Sequence, residues 1–211
     1  MIDVLADLLA LATYTFALSI TPGPNNVMLA ASGANFGFQR TLPHMLGISV
    51  GFAVQALLVC TGLGAVIAQS PQLQRWMAWV GAACIAWMGW RLLRSSPAGS
   101  AEGADAGKPL SMLEAALFQY ANPKAWIMAL TIAAVFMPKL GHSAGNIFLA
   151  ALLMFTVMVV VIFPCTAVWA AFGSALRGYL DVPVRRRVFN AVMAGLLVVT
   201  AVAMLTSGGQ A

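Results

Sequence analysis

Two long apolar stretches of this chain are each interrupted by the residues least able to continue a helix. Residues 8–39 contain no Asp, Glu, Lys or Arg, yet Thr21-Pro22-Gly23-Pro24-Asn25-Asn26 stands in their middle. Residues 115–138 carry a single charge, Lys124, within Asn122-Pro123-Lys124. Both stretches are long enough to cross a bilayer, which takes about 20 apolar residues. Proline removes a backbone donor and collides with the preceding turn, so each cluster predicts a broken helix. In hydrocarbon, irregular backbone survives only where protein packs around it or where it lines a polar cavity. Two broken spans and one intramembrane lysine therefore point to a transport site.

Composition agrees with membrane insertion. The chain is 61% hydrophobic and only 8% charged, against about 25% charged in soluble domains. It reads as one transmembrane domain over residues 1–211, with halves at about 1–95 and 112–211. A Gly/Ala/Ser-rich connection at about 95–111 joins them. The net charge of +5 comes from basic residues at helix ends, so it speaks for lipid headgroups and not for nucleic acid. Cys60, Cys84 and Cys165 lie in apolar surroundings without CxxC spacing and predict neither disulfide nor metal. The first segment has Asp3 and Asp7 but no basic start, so it reads as a retained helix and not as a signal peptide.

The predicted fold is an all-α integral membrane protein of six spans, at about 4–31, 45–68, 76–90, 115–138, 144–176 and 188–207. The third is short and needs Arg75 and Arg91 to snorkel at its ends. With the N-terminus outside, the inner loops hold eight basic residues: Arg40, Arg91, Arg94, Lys108, Arg177, Arg185, Arg186 and Arg187. The outer loops hold two, Arg75 and Lys139. That asymmetry predicts both termini outside the cytoplasm. The broken spans are the first and fourth, equivalent positions in a 3+3 inverted repeat, a common plan for secondary carriers.

At about 1.5 Å per residue, Thr21 lies about 24 Å from the outer end of span one. By the same measure, residues 122–124 lie about 10–14 Å from the inner end of span four. Both breaks then fall in the inner half of the membrane and can meet. Lys124 supplies a cation, and Asn25, Asn26 and Asn122 supply paired donors and acceptors. The helix restarting after Pro24 points its positive end at the break. Unwound carbonyls, Gln55 or Gln119 suit an ammonium group, so the set fits a free amino acid. Lys124 has a second reading, snorkelling to the inner headgroups, and the Pro-Gly-Pro-Asn run has one as a plain interhelical turn. Glu114 and Asp7 are candidates for proton coupling, or simply interfacial charges at helix starts. Gly47 and Gly51 form GxxxG in span two, for packing within the chain or against a second copy in a homodimer. Trp76, Trp79, Trp87 and Trp90 bracket span three as an interfacial belt. His44 and His142 stand alone, and no cofactor is called for.

With these residues in view, the chain resembles the LysE/RhtB family of amino-acid exporters. The likeness rests on Thr21-Pro22-Gly23-Pro24-Asn25, on Gly37 with Gly47 and Gly51, on Gly81-Ala82 through Gly89 with Arg91, and on Asn122-Pro123-Lys124. Thr13-Tyr14-Thr15 and Trp79-Val80-Gly81-Ala82-Ala83 resemble the cysteine/O-acetylserine exporter branch in particular. The family often has a Pro-Gln-Phe-like run ending span four, where this chain reads Phe136-Met137-Pro138-Lys139. The resemblance implies six helices, a bacterial inner-membrane location and efflux of an amino acid driven by the proton gradient.

The expected function is therefore a secondary transporter, not an enzyme, exporting small amino acids or close metabolites by alternating access. The alternative is a divalent metal-ion permease, which needs clustered Asp, Glu, His or Cys in its spans. A cationic substrate is disfavoured, because no acidic residue lies at mid-membrane to pair with it.

Overall fold

The computed structural model describes residues 2–94 and 108–207, so most of the connection expected at 95–111 lies outside the described residues. All regular structure among those residues is helical. Helix α1 is Ile2–Ile20, α2 is Pro24–Phe36 and α3 is Phe38–Leu58. A π-turn, Val59–Leu63, carries α3 into α4, Gly64–Ala68. Helix α5 is Pro71–Leu93. Helix α6, Met112–Phe118, passes through a 3-10 turn into α7, Pro123–Thr131. A second π-turn, Ile132–Phe136, leads to α8, Met137–Ala144. Helices α9, Ile147–Ala175, and α10, Pro183–Ser207, complete the chain.

Five helical stretches are long and apolar enough to cross a membrane: Ile2–Ile20, Phe38–Ile67, Pro123–Ala144, Ile147–Ala175 and Pro183–Ala203. The third expected span is present as α5, a continuous helix capped by the Ser70 hydroxyl. It is not one of the five, because Gln72, Gln74 and Arg75 at its start and Arg91 at its end dilute its apolar run. The span expected at 4–31 resolves into two helices, α1 and α2, separated by Thr21–Gly23.

Helix α9 is the centre of the bundle. Pro164 lies inside it without ending it. Asn26 and Thr166 line one cavity, Ala30 lies against Gly173, and Gly37 lies against Arg177. Helix α2 therefore runs beside the second half of α9 in the same direction. It is buried from Asn26 through Asn35, whereas α1 buries only Leu11 and Thr15. At the end of α2 the chain reverses on Gly37 at φ 84°, a backbone region that glycine enters without steric cost.

Gly47 and Gly51 are both buried, with Met112, Ala115 and Ala116 against them. They pack α3 on α6 within one chain, the first of the two readings of this GxxxG. A Cβ there would collide with a neighbouring backbone, so the small residues set the helix spacing. Around α9 gathers the main core, with Leu29, Met45, Phe52, Ile132, Met154 and Met158.

Candidate functional site

The two helix breaks meet. The Lys124 ammonium donates to the Thr21 hydroxyl at 2.8 Å, the Thr21 carbonyl at 3.0 Å and the Pro22 carbonyl at 3.5 Å. Asn25 Nδ2 donates to Gln119 Oε1 at 2.8 Å, a second link across the same junction. The Lys124 side chain lies directly against Gly23.

A helix end leaves carbonyls without intrahelical partners, and in an apolar setting each needs another donor. The C-terminus of α1 meets this demand with side chains from three other helices. Asn26 Nδ2 donates to the carbonyls of Ser19 at 2.8 Å and Thr21 at 2.7 Å. Trp169 Nε1 donates to Ile20 at 3.0 Å. The Thr21 hydroxyl folds back onto Leu18 at 2.8 Å, and Lys124 takes the remainder. Lys124 thus sits at the negative end of the α1 dipole. It bridges the two breaks instead of snorkelling free.

On the other side of the junction two helices begin. Pro24 opens α2 and Pro123 opens α7, each in the first turn, where its missing N–H costs nothing. Asn122 caps α7, its Oδ1 accepting from Lys124 N at 3.1 Å. Asn122→Ala is expected to lower stability by about 0.5–2 kcal/mol through loss of that cap, read as a shift of thermal melting in detergent. One negative helix end and two positive ones therefore converge on one point. They border a cavity of about 40 Å³ whose lining includes Ser19, Gly23, Asn25, Asn26, Gln119, Asn122, Lys124 and Thr166. Apolar walls from Ile48, Phe52, Met128 and Ile162 complete it.

Gln119, a candidate for an ammonium group, is already engaged at both ends of its amide, by Asn25 and by the Ala115 carbonyl. Gln55 is the opposite case. It is fully buried, three residues beyond Phe52 on α3, and neither amide atom has a partner. A buried unpaired amide costs about 1–3 kcal/mol. Gln55→Leu should therefore leave the melting temperature unchanged or raise it; a large fall would show a hidden partner.

The two acids stand apart from the junction. Glu114 closes a capping box at the start of α6: its Oε2 accepts from Ser111 N at 2.8 Å, and Ser111 Oγ accepts from Glu114 N at 3.2 Å. The Ser111 backbone donor, followed by the Ser111 hydroxyl, holds the Glu114 carboxyl below the usual glutamate range. Asp7 lies half-buried in α1, fourteen residues before Thr21, and makes no ion pair among the described residues. Trp169 and the Asn25–Gln119 bond were not singled out from sequence. No periodicity signals a tryptophan whose partner carbonyl is 149 positions away.

Curated relatives include a cysteine/O-acetylserine efflux protein of Klebsiella pneumoniae subsp. pneumoniae, 30% identical over 128 residues, 60% of this chain and 63% of that protein. A cysteine/O-acetylserine efflux protein of Escherichia coli strain K12 is 30% identical over 125 residues, 59% of this chain and 62% of that protein. The match thus spans less than two thirds of the length of these curated relatives. No solved structure matches the chain. The family described as LysE type translocator matches residues 16–208, which include both helix breaks, the end of α1 and the other four membrane-crossing helices, and the chain belongs to that family.

Proposed function

We propose that this protein is a secondary transporter that exports small neutral amino acids, or close metabolites, across the bacterial inner membrane. The observation that carries the reading is the Lys124 bridge between the two broken helices. The ammonium of Lys124 faces the carbonyl end of α1. An arriving α-amino acid brings both complementary groups. Its carboxylate can take Lys124 and the positive ends of α2 and α7, while its own ammonium replaces Lys124 on the Thr21 and Pro22 carbonyls. A zwitterion inserted this way leaves the net charge of the site unchanged. A cationic side chain would need an added carboxylate.

Transport then follows from alternating access, with the halves at about 1–95 and 112–211 rocking around the junction as an inverted repeat. In this reading α5 is the sixth span, and both termini face outward because the basic loops gather at the opposite end. Proton entry from outside would release the substrate, with Glu114 or Asp7 as relay. The names of the relatives make cysteine and O-acetylserine the first compounds to test. A divalent-cation permease would need clustered ligands, and among the described residues no three of His, Cys, Asp and Glu gather.

The test is uptake into inverted membrane vesicles carrying the protein, with a panel of labelled neutral and cationic amino acids and of divalent cations. Accumulation of a neutral amino acid that collapses with the proton gradient supports the reading. Accumulation of cations alone, or of nothing by correctly inserted protein, overturns it.

A further inference from the structure

A second cavity, of about 90 Å³, lies on the far side of α2 from the Lys124 junction. Helix α2 forms a wall of both: its start borders the first, and Met28, Ala31, Ser32 and Asn35 border the second. The remaining walls come from α3, α5, α10 and the segment before α6. Three basic side chains reach it: His44 from α3, Arg91 from α5 and Lys108.

His44 is the anomaly. It is 2% exposed, and neither ring nitrogen has a hydrogen-bond partner. One nitrogen of any neutral imidazole is a donor, so a donor is buried here with nothing to receive it. Neither Ser32 nor Asn35 bonds it: Ser32 pairs with Thr41, and Asn35 Nδ2 donates to the Ala31 carbonyl and to Asn190 Oδ1. Arg91 forms no ion pair among the described residues; its guanidinium lies 4.9 Å from the centre of the Trp87 ring. Lys108 is exposed at the mouth. The nearby acid among the described residues is Glu114, whose charge acts on both His44 and Arg91 and whose Oε2 accepts from the Ser111 amide. Among the described residues the cavity thus presents two cations without an ion pair and a buried imidazole donor without an acceptor, with one carboxylate nearby.

We propose that this cavity is a second, anion-binding site that takes the carboxylate of a small free amino or organic acid. Arg91 and Lys108 supply the charge, and His44 supplies a hydrogen bond from the buried end. Resting on the transport reading, the ligand is the exported solute, held beside α2 before it reaches the Lys124 junction. The site's affinity for a carboxylate does not depend on transport.

The experiment places a thiol in the cavity and compares reagents of opposite charge. Met88 lines the cavity without a polar role, and Met88→Cys is made after Cys60, Cys84 and Cys165 are replaced by Ala. Membrane-impermeant anionic and cationic methanethiosulfonates are added to each face in turn, with rates normalised to those of a free thiol. The anionic reagent should react several-fold faster from one face, and Arg91→Gln with Lys108→Gln should erase that preference. Millimolar alanine or acetate should slow modification, and His44→Leu should weaken this protection while His44→Gln retains it. Equal rates for the two reagents, or a preference indifferent to Arg91 and Lys108, would overturn the site. Protection by glycerol phosphate but not by carboxylates would overturn the ligand class and assign the cavity to lipid headgroups. Charge selectivity without any uptake in vesicles would leave the site standing and remove the transport reading, so the two failures are distinct.

Discussion

Lys124→Ala is expected to cut transport about 30-fold or more while the protein still inserts and folds. Truncating one partner of a buried, hydrogen-bonded charge pair costs about 2–5 kcal/mol, and each 1.36 kcal/mol is tenfold. The folding cost should be smaller. Without Lys124 the Thr21 carbonyl keeps its bond to Asn26 and the Thr21 hydroxyl its bond to Leu18, while the Pro22 carbonyl and the Thr21 hydroxyl oxygen each lose the donor that Lys124 supplied. An ordinary hydrogen bond contributes about 0.5–1.5 kcal/mol net. Asn26→Ala separates a ligand role from a capping role, because it removes one donor from each of the Ser19 and Thr21 carbonyls without removing a cation. If Lys124 merely capped α1, both variants would lose transport in proportion to their loss of stability. If it receives the substrate carboxylate, Lys124→Ala loses far more transport per degree of melting temperature. Uptake rates and detergent melting curves of the two variants decide this, and normal uptake by Lys124→Ala would end the proposal.

Gly173→Val should be the most damaging single change to the fold. A Cβ at Gly173 would land on the carbonyl of Ala30, and one at Gly33 would land on the carbonyl of Ala170. The obstacle in both cases is backbone, which cannot rotate away as a side chain can. Overpacking of this kind costs about 1–3 kcal/mol and sometimes more. Function should fall further than stability, because separating α2 from α9 also moves Asn25 and Asn26 off Gln119 and the α1 carbonyls. Gly33→Ala should behave alike. The double variant should be less than additive, since both substitutions part the same contact. Gly195 serves as the control: nothing lies near an added Cβ there. Gly195→Ala in α10 should be neutral, or stabilising by up to about 1 kcal/mol. Melting temperatures of the four variants test the ordering.

The residues that pack α2 on α9 were not legible in the sequence, whereas Gly47 and Gly51 were. GxxxG is a spacing within one helix, so it can be read locally. Gly33 and Gly173 form a contact only because two helices 140 positions apart in the chain lie side by side. His44 fell to the same limit. Its isolation in sequence gives no hint that Arg91 and Lys108 reach the cavity it lines. The third expected span is present as a continuous helix, but Arg75 and Arg91 confine its apolar run to 76–90, which is too short to mark it as membrane-crossing by length and composition.

The sequence by itself determined the membrane class, the all-helical architecture and the places where helices break. Those follow from local chemistry: apolar runs exclude water, and proline removes a donor wherever it stands. It also placed a break at Asn122-Pro123, since proline cannot continue the turn before it. Only the tertiary structure decided that the two breaks share one point, that Lys124 spends its charge on the carbonyls of α1, and that Gln119 is engaged while Gln55 is not. A partner a hundred residues away is set by packing around α9, and no local pattern encodes it.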